Sequence, residues 1–388
     1  MYIDDTRSLE DVIPVLAAAP VLALDTEFMR ERTYYARLCL VQVATPADVF
    51  VIDAIKLADD LSLLMPVLAA PAMKVLHAGA QDVEILLRAT GVAPAPVFDT
   101  QVAATLAGFP TQVGYAQLVK EMTGIVIDKA DTFTDWTARP LSAAQLAYAE
   151  EDVRHLPGIY LTLRDRLGRE GRLEWLAEDF ERLADPATYE VDPLAQYLRV
   201  KRASTLDRRS LGVLREIAAW RETEAQRADI PKRWLIADES LVEIARRRPG
   251  SAAELSAIRG VNERVLSRAA SGLLAAVARG ETVPDTELPK LPKRDRVSKD
   301  AQPIADLLSA VLKVRAREHG VASSLFATRD EIEGFAAGDH AGNPLTSGWR
   351  HSLAGAELEA IMEGRVGVSV VDGRITLRPT GGDAHDDG

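Results

Sequence analysis

One cysteine in 388 residues, Cys39, leaves no means of building an internal disulfide framework or a cysteine-based zinc site. Its setting in the apolar run LCLVQV makes it a small buried hydrophobe. Long hydrophobic runs are missing as well: none reaches the roughly 20 residues that span a bilayer. The opening MYIDDTRSLEDVIPV is acidic where a secretory signal is basic, so a cytoplasmic chain with no membrane partner is expected. Positive charge is in deficit, with 46 Lys and Arg against 58 Asp and Glu and a net charge of -12. That balance argues against a protein coated in positive potential whose main activity is non-specific nucleic-acid binding, and leaves room for an enzyme with local basic patches. What is present, 47% hydrophobic and 27% charged residues, is ordinary globular composition in a chain too long for a single core, so two or three domains are expected.

Residues 21 to 110 alternate short apolar runs with amphipathic stretches. VLALD, RLCLVQVA, DVFVID and KVLHA predict strands, while 59–69 and 80–89 predict helices. The first three strands are joined by short polar links, as antiparallel partners are, and the later ones by helices, as parallel strands require. A mixed sheet flanked by helices follows. From about residue 114 the pattern is helical, and LSAAQLAYAEEDVRHLPGIYLTLRDRLGREG predicts one long helix, with Ser142 near its start, Gly171 past its end and a kink at Pro157. DPATYEVDP has two prolines and no helical period and predicts a linker over 185–204, and the proline- and charge-rich VPDTELPKLPKRDRVSKDAQP predicts a second over 283–303. The expected domains are therefore 1–184, 205–282 and 304–378, with 379–388 a disordered tail.

Three places offer carboxylates for chemistry. Asp25-Thr26-Glu27 stands where the strand VLAL runs out, at a sheet edge facing a crevice. The same D-x-E spacing recurs at Asp82/Glu84, Asp179/Glu181 and Asp285/Glu287, so the strand context, not the motif, singles out the first. Asp82 follows a strand ending at His77 and a turn of small residues, which places it in the first turn of a helix, where by itself it would offset the positive helix end. Tyr148 and Asp152 are four apart on the long helix and share a face. Alone, each site has a bland reading, as a solvated strand end, a helix-end charge, or a packed aromatic beside a surface acid. Together they put four carboxylates and a phenol on neighbouring elements of one α/β domain. Two carboxylates about 4 Å apart repel by about 4 kcal/mol at an effective dielectric of 20, so four converging ones need cations to remain ionised. Oxygen-only donor sets suit Mg²⁺ or Mn²⁺, and two such ions about 3.5–4 Å apart are suited to in-line hydrolysis of a phosphodiester.

LALDTEF, HAGAQDVEIL and DWTARPLSAAQLAYAEEDVRHL, in that order and with VFDTQVAATLAGFP between the second and third, resemble the three acidic motifs of the ribonuclease D family, of the subclass with tyrosine in the third. The resemblance implies a ribonuclease H-like 3′-5′ exonuclease domain that takes two divalent cations, Mg²⁺ or Mn²⁺. It implies that Asp25, Glu27 and Asp152 hold the ion binding the attacking water, that Asp25 bridges to a second ion supported by Asp82, and that Tyr148 orients or helps deprotonate the water. Asp99, in FDT, is expected to serve structure. Phe28 and His77 flank the motifs, where contact with the terminal nucleotide and core packing both remain open.

Residues 205–282 resemble the helical domain shared by RecQ-type helicases and the C-terminal half of ribonuclease D, usually called HRDC, an all-α nucleic-acid-binding module. Lys232 and Arg233 beside Trp234, and the run Arg246, Arg247, Arg248, are its candidate phosphate contacts. Residues 304–378 are expected to be a degenerate second copy, although SVVDGRITLRP predicts a hairpin there. The expected function is trimming of RNA 3′ ends, transfer RNA precursors among them, by a monomer. A DNA exonuclease is a second possibility, because the acidic site does not report on the 2′-hydroxyl. A non-catalytic RNA-binding scaffold is the third, and such a chain is expected to have lost some of the five polar residues, all of which are present.

Overall fold

A computed structural model describes residues 1–127, 135–261, 263–291 and 301–380. They fall into two compact units, one made of Met1–Glu27, Leu40–Thr188 and residues 301–380, the other of Phe28–Cys39 and residues 189–291. Among the described residues no helix is long and apolar enough to cross a membrane.

The first unit is built on strands β1 (Tyr2–Ile3), β2 (Val21–Met29), β3 (Arg37–Ala44), β4 (Val49–Asp53), β5 (Met73–Leu76) and β6 (Val97–Asp99). Helices α1 (Thr6–Ala18), α2 (Met65–Leu68), α3 (Ala80–Thr90), α4 (Thr100–Leu106) and α5 (Tyr115–Thr123) lie between and after them. The sheet order is β1-β4-β3-β2-β5-β6. β3 and β4 pair antiparallel, whereas β2, β5 and β6 run parallel, so the mixed sheet expected from the connections is present. Val21, Leu22, Ala23 and Leu24 are all buried, as in a strand covered on both faces, and from Asp25 on only Thr26 is buried.

The single kinked helix expected over 142–171 is two helices, α6 (Ala143–Arg154) and α7 (Leu156–Arg169), divided at His155. Pro157 lacks an N–H and its ring crowds the carbonyl four residues earlier, so the ladder breaks ahead of it and Pro157 falls in the first turn of α7, where no donor is needed. The Tyr115 hydroxyl bridges the break, donating to the Glu151 carbonyl (2.8 Å) and accepting from the His155 N–H (3.4 Å). α8 (Ala177–Ala184) follows.

The second unit is helical: α9 (Arg208–Ala228), α10 (Lys232–Leu235), α11 (Asp238–Arg247), α12 (Ala252–Ser256) and α13 (Glu263–Thr282). Residues 185–204, expected to be a linker, instead form short 3₁₀ turns, and Tyr197, Val200 and Ala203 are buried in one core with Leu214, Ile217, Leu241 and Leu273. Short 3₁₀ turns carry no 3.6-residue period, which is why the pattern looked structureless. The second expected linker begins packed, with Leu288 buried and Arg208 Nη2 donating to the Asp285 and Leu288 carbonyls; its residues 292–300 lie outside the described residues.

The C-terminal residues consist of α14 (Ala301–Glu318), α15 (Arg329–Ala336), α16 (Gly348–Arg350), a π turn over His351–Gly355, α17 (Ala356–Met362) and a hairpin of β7 (Val366–Val371) and β8 (Arg374–Pro379). The hairpin expected in SVVDGRITLRP is there, turning through Asp372 and Gly373, both at positive φ. Most of the proposed tail, 381–388, lies outside the described residues. Leu308, Val311, Leu312, Phe326 and Phe335 belong to the same core as Phe98, Tyr160, Leu163 and Leu167. Trp349 stacks on Trp175 (4.9 Å, 9°), so this segment is packed into the first unit.

Candidate active site

Asp25 and Glu27, two residues apart on β2, project from one face of the sheet where the strand leaves the core. Thr26 between them donates its hydroxyl proton to the Asp82 carboxylate. Asp82 sits in the first turn of α3, placed there by a tight turn from β5. In that turn Ala78 is at positive φ (57°), and a Cβ on Gly79 would lie 2.4 Å from the Leu76 Cβ, so only glycine fits. Asp99 clamps the same turn, its carboxylate accepting from the Ala78 N–H (3.1 Å) and the Gly79 N–H (2.9 Å), and it also caps α4 through the Gln101 N–H (2.8 Å). α6 starts from a capping box of Ser142 and Gln145 and carries Tyr148 and Asp152 on one face, the phenol donating to the carboxylate. The segment ahead of α6 is fixed to β4 by Arg139, whose Nε and Nη2 donate to the two oxygens of the buried Asp53 at 2.6 and 2.8 Å.

The four carboxylates and the phenol interact with one another. Burial raises the Asp25 carboxyl well above the usual range, and the charges of Asp82, Asp152 and Glu27 raise it further. Glu27 is pushed up to about 8 by burial and then by Asp152 and Asp82. Asp152 is pushed up to about 7 by burial, against the opposing bond from Tyr148. Asp82 is raised by burial against the Thr26 hydroxyl bond. The Tyr148 phenol is raised by burial and by Asp152, Glu27 and Asp25, so it holds its proton. Four such acids cannot ionise together near neutrality without compensating positive charge, and their hard oxygen donors match a small divalent cation. Among the described residues no three acidic or imidazole side chains meet closely enough to form a finished ion cage. Asp82 is engaged by Thr26 and Asp152 by Tyr148.

The other sequence candidates have different settings. Phe28 follows on β2 one residue out of phase with Asp25 and Glu27 and projects from the opposite face. His77 has both ring nitrogens engaged, Nδ1 with Thr100 Oγ1 and Nε2 with the Val113 carbonyl, each at 3.0 Å, and burial lowers its pKa. Lys232, Arg233 and Arg246–Arg248 are in the second unit. Lys232 is paired with Glu222 (2.9 Å), and Arg246 and Arg247 are both paired with Glu243. Sequence reasoning passed over Thr26 and Arg139, which stand inside the motifs it used, and Gln42, whose side chain is fully buried on β3 with neither amide atom bonded to any of the described residues.

Residues 1–168 match the family model described as 3′-5′ exonuclease, and residues 210–277 match the HRDC domain model. The chain is 44% identical over 382 residues to ribonuclease D of Granulibacter bethesdensis, covering 98% of this chain and 96% of that one. It is 44% identical over 381 residues to ribonuclease D of Gluconacetobacter diazotrophicus, covering 98% and 97%. The crystal structure of Escherichia coli RNase D, an exoribonuclease involved in structured RNA processing, superposes with a TM-score of 0.81 at 29% identity, covering 94% of this chain and 98% of that one. An exonuclease fold of this kind implies dependence on a divalent metal.

Proposed function

Because the chain belongs to the ribonuclease D family and is a 3′-5′ exoribonuclease, we propose that its carboxylate cluster releases nucleoside 5′-monophosphates stepwise from RNA 3′ ends, transfer RNA precursors among them. The observation that carries the site is the gathering of four buried acids, in which Asp82, Asp152 and Glu27 raise the Asp25 carboxyl and Asp152 and Asp82 raise that of Glu27. Asp25, Glu27 and Asp152 would hold one Mg²⁺ or Mn²⁺, and Asp25 and Asp82 a second. When bound, the two ions supply the charge that lets these acids ionise together, lower the pKa of a water and stabilise the departing 3′-oxygen. The chain's own contribution is positional. Thr26 sets the rotamer of Asp82, and Asp99 with Gly79 sets the turn that delivers it. Tyr148, which keeps its proton, orients the attacking water from beside Asp152 instead of removing its proton. All five residues come from one unit of one chain, which supports a monomer, and no membrane-crossing helix among the described residues conflicts with a cytoplasmic enzyme.

Digestion of 5′-labelled RNA and DNA with Mg²⁺, Mn²⁺ or chelator tests this. A ladder shortening from the 3′ end on RNA, abolished by chelator, is expected. Asp25→Asn should lower turnover by on the order of 1000-fold, the upper end for removing one preorganised electrostatic group. Tyr148→Phe should lower it by about 100-fold, the cost of a misplaced reactant. Full activity in either purified variant removes that residue from the mechanism.

A further inference from the structure

Within the helical unit a cleft of about 190 Å³ opens between the 3₁₀ turn Pro193–Arg199, α9, α10 and the start of α11. Five cations line it: Arg199, Lys201, Arg221, Lys232 and Arg233. Two of them are already engaged. Lys232 is held by Glu222, and Arg221 Nη1 donates to the Ile236 carbonyl (2.9 Å) and to Asp238 (2.8 Å). Asp238 is further occupied by the backbone N–H of Lys201 (3.2 Å). That leaves the exposed side chains of Arg199, Lys201 and Arg233, none in an ion pair among the described residues, facing a single uncommitted acid, Glu239. At the base of the cleft Arg221 is only 6% exposed, and its buried Nε–H has no acceptor among the described residues. A buried guanidinium donor without a partner is rare and costly, and an anionic oxygen is the acceptor it lacks. A chain with a net charge of -12 that keeps a local excess of cations around such a donor has a built anion site.

We infer that this cleft seats a backbone phosphate of the RNA substrate, upstream of the end being trimmed. The inference rests on the proposed RNA substrate and adds a binding site to it. The volume is below the roughly 300–1,000 Å³ of pockets that enclose a whole small molecule, so the cleft takes a phosphate group and not a nucleotide. Trp234, next in sequence to Arg233 and 56% exposed, offers a face on which the neighbouring base stacks. The site draws on residues 196–201, ahead of the matched HRDC segment 210–277, so that segment by itself would lack part of it.

The test uses the full chain in chelator, with a 5′-fluorescein single-stranded RNA read by anisotropy across a salt series. The triple variant Arg199→Ala/Lys201→Ala/Arg233→Ala should raise Kd by about tenfold or more and flatten the log Kd–log salt slope by about 0.7, the change for one phosphate lost on single strands. Arg227→Ala/Arg259→Ala/Arg279→Ala, which removes the same charge elsewhere on the unit, should change Kd by less than about threefold by general screening alone. Equal losses in the two variants, or none in the first, overturn the inference. Displacement of the RNA by inorganic phosphate at matched ionic strength assigns the cleft to the free anion and also overturns it. The replaced side chains are exposed and unpaired, so the melting transition should not move. If it does, the single variant Arg233→Ala decides by the same slope, expected to fall by up to about 0.7. A wild-type chain that neither binds nor shortens RNA sinks the substrate reading itself, whereas one that does both while the cleft variant matches it sinks the cleft alone.

Discussion

Glu27 and Asp152 have folded-state pKa values of about 8 and 7, above the ordinary carboxylate range, because burial and neighbouring acids disfavour their charged forms. The folded chain therefore binds more protons than the unfolded one between about pH 4 and pH 8, and its stability falls as pH rises through that window. In chelator, the melting temperature should drop from pH 5 to pH 8 by more in the wild type than in Glu27→Gln, and Mg²⁺ should restore it at pH 8 more than at pH 5. Identical pH slopes for the two proteins in thermal melts would show that Glu27 is not part of a repelling cluster. Gln42 poses the opposite problem, a neutral amide fully buried with no partner among the described residues. Gln42→Met keeps its shape and removes the unsatisfied atoms, so it should raise stability by about 1–3 kcal/mol in urea unfolding. A loss instead would mean that the amide is bonded in solution. The position was illegible in the sequence because LCLVQV alternates too little to say which way a lone glutamine points.

At the scale of elements, the strands were legible because their apolar runs end in charged or small residues, and Asp25, Glu27, Tyr148 and Asp152 because they sit at fixed phases of a strand and a helix. The division at His155 and the packed turns of 185–204 were not, since a proline reads equally as a kink or a start and a 3₁₀ turn has no long period. The β2–β3 connection was silent for another reason, its partner being about 190 residues away. Tyr34 donates its hydroxyl to Glu222, 1% exposed on α9, and the Tyr34 and Tyr35 N–H groups donate to Asp229 Oδ1 at 3.0 and 3.1 Å. Burial and the Glu222 carboxylate push the Tyr34 pKa up to about 12. Tyr34→Phe removes one charge-assisted bond to a buried acid and should destabilise the helical unit by about 1.5–3 kcal/mol. Denaturant melts give the magnitude, and faster amide exchange at both Tyr35 and α9 gives the location. Faster exchange confined to the loop would mean that Glu222 is satisfied without the phenol.

For the whole molecule, helical periodicity in 304–378 announced helices but not what they pack on, and a separate module was the natural expectation. The residues instead complete the first unit's core: Leu308, Val311, Leu312, Phe326 and Phe335 are buried with Phe98, Tyr160, Leu163 and Leu167. Arg172 adds hydrogen bonds to the carbonyls of Leu106 and His319. Losing a single buried Phe or Leu side chain costs about 2–5 kcal/mol, while a whole domain is stable by only about 5–15 kcal/mol, so removing several at once exceeds the reserve. A chain ending at residue 291 should therefore be insoluble, or should melt without a cooperative transition, and should not shorten RNA, even though all five proposed active-site residues remain. Leu312→Ala, a milder lesion in the same core, should keep activity at low temperature and lose about 2–5 kcal/mol in denaturant unfolding. A soluble truncated chain with a sharp melt and wild-type trimming would mean that α14 to β8 stand as a module of their own and that the catalytic unit closes its core without them.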